Sequence, residues 1–135
     1  RKMSKSYNNT IPLFDTEKRL KKAINKIKTN LLEPGEAKST EDSTVFQLWC
    51  AFADQAGIAA MEQAFAVGIA WGEAQKQLFE LINDELSGPR EEYERLIAEP
   101  GHIETVLVQG AQRAREHSVP LMEEVRSAVG IRPMG

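Results

Sequence analysis

Apolar residues recur along the chain at steps of three and four, the spacing that places side chains on one face of an α-helix. The first such stripe follows Asp15, a candidate helix N-cap, and precedes Glu33-Pro34-Gly35, which should stop the helix. Its members are Leu20, Ala23, Ile24, Ile27 and Leu31. Similar spacing predicts further helices over residues 40–53, 56–67, 71–86 and 90–98, with a break at Ser87-Gly88-Pro89.

The longest helical pattern follows Pro100-Gly101 and ends at Gly130. Pro120 should kink or restart this helix near Ser118, because proline has no N–H to donate and clashes with the preceding turn. The face shared by its apolar and small residues consists of Ile103, Leu107, Gly110, Ala111, Ala114, Ser118, Leu121, Met122, Val125 and Val129.

No segment alternates as a β-strand would, so the sequence predicts an all-α fold. We expect a small bundle of about five to six helices over residues 15–135. Residues 1–14 should form a separate, flexible segment in front of it, since they lack the helical pattern.

The composition is that of an ordinary soluble domain, with 41% hydrophobic and 27% charged residues among 135. The longest mostly apolar run, residues 64–72, is shorter than the roughly 18 residues that a membrane helix requires. A single cysteine, Cys50, allows no internal disulfide and no cysteine-based zinc site, and His102 and His117 lack partners at metal-ligand spacing. We therefore expect a cytoplasmic protein without a bound structural metal.

The net charge of −3 conceals a strong asymmetry. Residues 1–30 contain nine Lys or Arg and two acids, whereas the remaining 105 contain eight basic and 18 acidic side chains. A basic end on an acidic protein favours phosphate or nucleic acid as a partner. A solvated, lysine-rich helix face is an equally good interpretation of the charge alone.

The most informative motif is Lys2-Met3-Ser4-Lys5-Ser6, which spells the KMSKS signature of class I aminoacyl-tRNA synthetases. The continuation over residues 7–14 resembles the bacterial tryptophanyl-tRNA synthetases. The resemblance extends over essentially the whole chain, although only the first motif is highly specific. Its further segments are Phe46-Gln47-Leu48 with Phe52, residues 68–72 with Leu78-Phe79, and residues 110–115.

This resemblance implies an enzyme that activates tryptophan with ATP and Mg²⁺ and transfers it to tRNA(Trp). Lys2 and Lys5 would be the catalytic residues, meeting the ATP phosphates, while Met3, Ser4 and Ser6 complete the ATP-binding segment. The chemistry agrees, because negative charge develops on the departing pyrophosphate and ammonium groups placed there stabilise it.

The resemblance also implies that the helical part reads the tRNA anticodon. Single-stranded bases are recognised by stacking and edge hydrogen bonds, with basic side chains on the phosphates. Each basic candidate is also a plausible ordinary surface charge. The candidates are Gln75, Lys76, Arg113, Arg115, Lys22 and Lys26, with Arg19 as a further backbone contact.

The HIGH-type motif and the tryptophan pocket of such enzymes lie on an α/β fold for which these residues show no pattern. The chain also begins with Arg1, so we expect a segment of a larger, homodimeric enzyme that is inactive alone. A ligase for another amino acid, tyrosine especially, stays open. A second alternative is a non-catalytic helical RNA-binding or protein-interaction module with a basic arm.

Overall fold

The computed structural model describes residues 3–7 and 9–131 and contains five α-helices over them. These are α1 (Glu17–Asn25), α2 (Thr44–Phe52), α3 (Gln55–Ala66), α4 (Trp71–Ala98) and α5 (Pro100–Ala128), preceded by a 3₁₀ turn at Lys5–Tyr7. No strand occurs in this part of the chain, which confirms the predicted all-α class. None of these helices is both long and apolar enough to cross a membrane.

The chain divides into two compact units, residues 1–92 and 93–135, and α4 contributes residues to both. The predicted separation of residues 1–14 from the helices stays a prediction. Within the first unit, Ile11 already packs against the helical core.

The core of the first unit collects one buried stripe from each of its four helices. The ring centroids of Phe46 and Phe65 lie 5.5 Å apart, and the Phe65 and Trp71 rings pack edge to face with their centroids 5.6 Å apart. Such tilted aromatic pairs add to the burial of apolar area that stabilises the unit. The buried residues are Leu20, Ile24, Val45, Phe46, Met61, Phe65, Ala74, Leu78, Phe79, Ile82 and Leu86.

Side-chain caps begin α2 and α3. Ser43 Oγ accepts from the Phe46 amide at 3.2 Å, and Asp54 Oδ1 accepts from the Gly57 amide at 2.7 Å. These bonds satisfy amides that have no partner within the helix. Because caps of this kind fix where a helix starts, α2 begins at Thr44 and not at the predicted residue 40.

A buried lysine holds the loop between α1 and α2 against the start of α4. Lys38 is only 5% exposed, and its Nζ donates to the carbonyls of Glu33 and Glu36 at 2.9 and 3.0 Å. The same ammonium lies 5.6 Å from the centroid of the Trp71 ring. Trp71 Nε1 in turn donates to Asn30 Oδ1 at 2.9 Å, which ties the first part of this loop to the same tryptophan.

The prediction of a long first helix through Leu31 is wrong. α1 ends at Asn25, and Leu31 is 99% exposed. The physical reason lies on α4, where Gln75 Nε2 donates to the carbonyls of Ile24 and Ile27 at 3.4 and 3.2 Å. The N-cap is Thr16 instead of Asp15, whose carboxylate accepts from the Thr16 amide at 2.8 Å.

The predicted break at Ser87-Gly88-Pro89 is also wrong, because α4 continues through it to Ala98. Pro89 cannot donate a helical hydrogen bond, but it is exposed, so water can satisfy the carbonyl left without a donor. Ser87 Oγ donates to the Asp84 carbonyl at 2.9 Å, and Arg90 Nη1 donates to Asn83 Oδ1 at 3.1 Å. The predicted fifth helix, residues 90–98, is therefore the end of α4.

The second unit contains the end of α4 and the whole of α5. The helix starts with Pro100 in its first turn and runs through Pro120, so the predicted restart near Ser118 does not occur, while the predicted kink there stays a prediction. No residue of α5 is buried, and only Ile103 and Ala111 of its apolar face are half-buried. The sequence predicted the helical face but not its exposure.

Candidate nucleotide and RNA interface

The segment with the KMSKS spelling forms a small closed turn over its described residues. The Tyr7 amide donates to the Ser4 carbonyl at 3.1 Å, and the Ser4 amide donates to Asn9 Oδ1 at 2.8 Å. The Ser6 amide donates to Ser4 Oγ at 3.3 Å. These bonds hold the backbone while the Lys5 side chain remains exposed to solvent. Such an arrangement presents one ammonium group to a ligand.

Of the predicted ATP-contacting residues, Met3, Ser4, Lys5 and Ser6 lie on this turn, and Lys2 lies outside the described residues. Met3 and Lys5 are exposed, whereas Ser4 is half-buried. Over residues 3–7 and 9–131 no group of three His, Cys, Asp or Glu side chains could hold a metal ion.

A groove of about 740 Å³ lies between this turn, the end of α1 and the start of α2. We call it the loop–α1 groove. Its lining mixes apolar surface with hydrogen-bonding groups, and its charged members among the described residues are two lysines. The lining consists of Met3, Tyr7, Asn9, Thr10, Ile11, Ala23, Lys26, Ile27, Lys28, Thr44, Gln47 and Leu48.

Two predicted RNA contacts, Lys22 and Lys26, are exposed at α1 and its C-terminal end, and Lys26 lines the groove. Arg19, on the same helix, forms an ion pair with Asp15 at 3.2 Å. The pKa of Asp15 is lowered, chiefly by the hydrogen bond from the Thr16 backbone and further by Arg19 and the charge of Arg90.

The remaining predicted RNA contacts are spread over two helices. The Gln75 amide nitrogen donates to carbonyls at the end of α1. The exposed Lys76 forms an i,i+4 ion pair, with its Nζ 3.9 Å from Glu80 Oε1. Arg113 and Arg115 are exposed on α5 in the second unit. Being two positions apart on a continuous helix, they point to different sides. RNA binding by these four residues stays a prediction.

The sequence analysis assigned no ligand contact to several residues of the loop–α1 groove, among them Asn9, Lys28, Thr44 and Gln47. A helix through Leu31 would place Lys26 and Lys28 about 200° apart around its axis. Because α1 ends at Asn25, both lysines instead line one groove. The run of basic residues is visible in the sequence. Only the position of the end of α1 shows that Lys26 and Lys28 lie in the same groove.

No family model matches the chain. The chain is 49% identical to a tryptophan–tRNA ligase of Neisseria meningitidis and 48% identical to one of Pseudomonas aeruginosa, over 99% of its length in both cases. It spans 40% and 30% of these two relatives. A crystal structure of the tryptophanyl-tRNA synthetase from Campylobacter jejuni, complexed with ADP and tryptophan, superimposes with a TM-score of 0.92. That match has 33% identity and covers 96% of this chain and 41% of the other.

In its helical fold, its KMSKS turn and these matches, the chain resembles part of a class I aminoacyl-tRNA synthetase. Within that class, it is similar over nearly its whole length to bacterial tryptophan–tRNA ligases, of which it spans less than half. The relatives named above are all tryptophan enzymes, which favours that amino acid over the tyrosine left open by the sequence.

Proposed function

We propose that this chain provides the ATP-phosphate loop and the tRNA-binding helices of an enzyme that activates tryptophan with ATP and transfers it to tRNA(Trp). The observation that carries the proposal is the exposed Lys5 on a turn whose backbone is held by Ser4 and Asn9. The relatives' names support the amino acid and the tRNA. We further propose that the enzyme is a cytoplasmic homodimer.

Activation requires the tryptophan carboxylate to attack the α-phosphorus of ATP. The bond from that phosphorus to the bridging oxygen breaks, and pyrophosphate leaves with the electron pair. An ammonium group at this leaving group stabilises the transition state more than the ground state, because the charge grows there as the bond breaks. We assign this role to Lys5, together with Lys2. When bound, Mg²⁺ would enter with ATP and neutralise phosphate charge.

The turn alone cannot position its substrates. Proximity and orientation supply a large part of catalysis, and a cation loop without a pocket for the nucleotide and the amino acid lacks both. We therefore expect that this chain by itself catalyses no ATP–pyrophosphate exchange with tryptophan. Measurable exchange by the isolated chain would contradict this.

The test of the proposed function is Lys5→Ala in a complete enzyme that contains this chain. We expect tryptophan-dependent ATP–pyrophosphate exchange to fall about 10²–10³-fold, the usual effect of removing one group that stabilises transition-state charge. Lys18→Ala, which removes an exposed α1 lysine outside the turn, is the control and should leave exchange unchanged. A non-catalytic RNA-binding module predicts no exchange in the unmodified protein, and an unaltered rate in Lys5→Ala would refute the assigned role.

A further inference from the structure

The loop–α1 groove has the chemistry of a site for a nucleotide. Its volume of about 740 Å³ lies within the roughly 300–1,000 Å³ typical of ligand pockets. Met3, Ile11 and Leu48 provide apolar surface. Asn9 Oδ1 accepts from the Ser4 amide and Gln47 Nε2 donates to the Glu41 carbonyl, so the groups they can offer a ligand are the Asn9 amide nitrogen as donor and the Gln47 amide oxygen as acceptor. A nucleobase needs both, a surface for its face and hydrogen-bonding groups for its edge.

The charges of the groove favour an anion. Lys26 and Lys28 line it, and no carboxylate does among the residues described. Lysines are also favoured near the C-terminal end of a helix for electrostatic reasons alone, so their presence could be explained without a ligand. That explanation does not account for Lys28, which lies beyond α1 and still lines the same groove.

The backbone that carries these lysines is held from two directions. At the C-terminal end of α1 the Lys26 amide donates to the Ala23 carbonyl at 3.3 Å, and the Ile27 amide donates to the Ile24 carbonyl at 3.0 Å. Gln75 Nε2 donates to the Ile27 carbonyl, between the two lysines, at 3.2 Å. A site whose supporting backbone is fixed loses less entropy when it binds a ligand.

A row of lysines extends from the groove along α1. Lys18, Lys22 and Lys26 succeed one another at steps of four, so they lie about 6 Å apart along one side of the helix. All three are exposed. A free nucleotide would use only the groove, whereas a strand with successive phosphates would use the groove and the row.

We propose that the loop–α1 groove binds one unpaired nucleotide of an RNA strand, with its phosphate at Lys26 and Lys28 and the adjoining backbone along Lys22 and Lys18. Asn9, Thr44 and Gln47 lie where they can meet the edge of the base. This inference rests on the proposed function, since it assigns part of the tRNA contact to a site beside the ATP loop.

The experiment uses the complete enzyme and its tRNA(Trp). The double variant Lys26→Gln/Lys28→Gln should weaken tRNA binding about tenfold and reduce the salt dependence, by about 0.7 in the slope of log K against log salt for each lost single-strand contact. The KM for ATP in pyrophosphate exchange should not change. Lys21→Gln is the control: it removes one positive charge, where the double variant removes two, and it does so on another side of α1, where Lys21 lies over the Phe79 ring. tRNA binding should stay near that of the unmodified enzyme in this control.

A second variant tests the site without touching the lysines. Thr44→Asp places a carboxylate in the groove, and position 44 opens α2, where a negative charge favours the helix. We expect weaker tRNA binding with unchanged helix content by circular dichroism.

Three results would overturn the inference. One is tRNA binding in the double variant equal to that of Lys21→Gln, and another is unaltered binding in Thr44→Asp. A raised KM for ATP with intact tRNA binding would assign the groove to a free nucleotide instead. Failure of the proposed function is distinct, because the unmodified enzyme would then show neither tryptophan-dependent exchange nor tRNA binding.

Discussion

Gly68 should be among the least replaceable positions of the first unit. It follows α3 with φ +88°, and it donates to the Phe65 carbonyl while the Ile69 amide reaches the Ala64 carbonyl, as in a Schellman motif. Its own carbonyl accepts from the Gly35 amide at 2.8 Å. A Cβ added here would lie 2.4 Å from the Gly35 carbonyl carbon, closer than real Cβ atoms approach any atom.

The cost of Gly68→Ala has two parts. Placing alanine in the left-handed region costs about 1–2 kcal/mol. Room for the methyl group also requires the backbone at residues 35–36 to move, which breaks the Gly35–Gly68 hydrogen bond and strains that of the Lys38 amide to the Phe65 carbonyl at 2.9 Å. The broken bond adds about 1 kcal/mol and the strained bond up to about the same, so the total loss becomes about 2–4 kcal/mol.

Gly35→Ala is the matched control, because Gly35 has φ +90° but nothing within 4 Å of an added Cβ. It should cost only the conformational part, about 1–2 kcal/mol. Both variants can be measured by urea unfolding with tryptophan fluorescence, since Trp49 and Trp71 both lie in the first unit. Equal losses in the two variants would refute the reasoning, because they would mean that the backbone contact at Gly68 contributes nothing.

Two further predictions concern buried and charged groups. Lys38→Met should lower the free energy of unfolding by about 2–3 kcal/mol in the same urea assay, because it leaves the Glu33 and Glu36 carbonyls without their charged donor. This loss is net of the cost of burying the Lys38 ammonium, which the substitution removes. An unchanged midpoint of unfolding would contradict the prediction. Because the folded-state pKa of Asp15 is lowered, its carboxylate should stabilise the fold above the ordinary pKa of an aspartate, and that contribution should disappear as the pH falls through the folded pKa. The advantage of the unmodified chain over Asp15→Asn should therefore shrink in acid, and a difference independent of pH would disprove it.

The sequence predicted helical faces better than helix ends. The buried members of the first stripe, Leu20 and Ile24, follow directly from its spacing, but Leu31 continues that spacing and is exposed. A local pattern cannot show that Gln75, about fifty residues further on, donates hydrogen bonds to the carbonyls at the end of α1. The predicted break at Pro89 is wrong for a related reason. A proline leaves one helical carbonyl without its N–H donor, and the local sequence does not show whether that carbonyl faces water.

The motif and the groove differ in what the sequence could show of them. Lys5 could be recognised from spelling alone, because the KMSKS signature is continuous in the chain. Lys26 and Lys28 could not be assigned to one site, because their shared location depends on where α1 ends.

Gln75 bonds to the end of α1, so the RNA-binding role predicted for it need not require contact with RNA. Its amide nitrogen donates to the Ile24 and Ile27 carbonyls and thereby holds the backbone that carries both lysines. If the loop–α1 groove binds RNA as proposed, Gln75 would act through Lys26 and Lys28. The RNA-binding role predicted for Gln75 and the loop–α1 groove proposed beside the ATP loop then depend on the same hydrogen bonds, which join α4 to the end of α1.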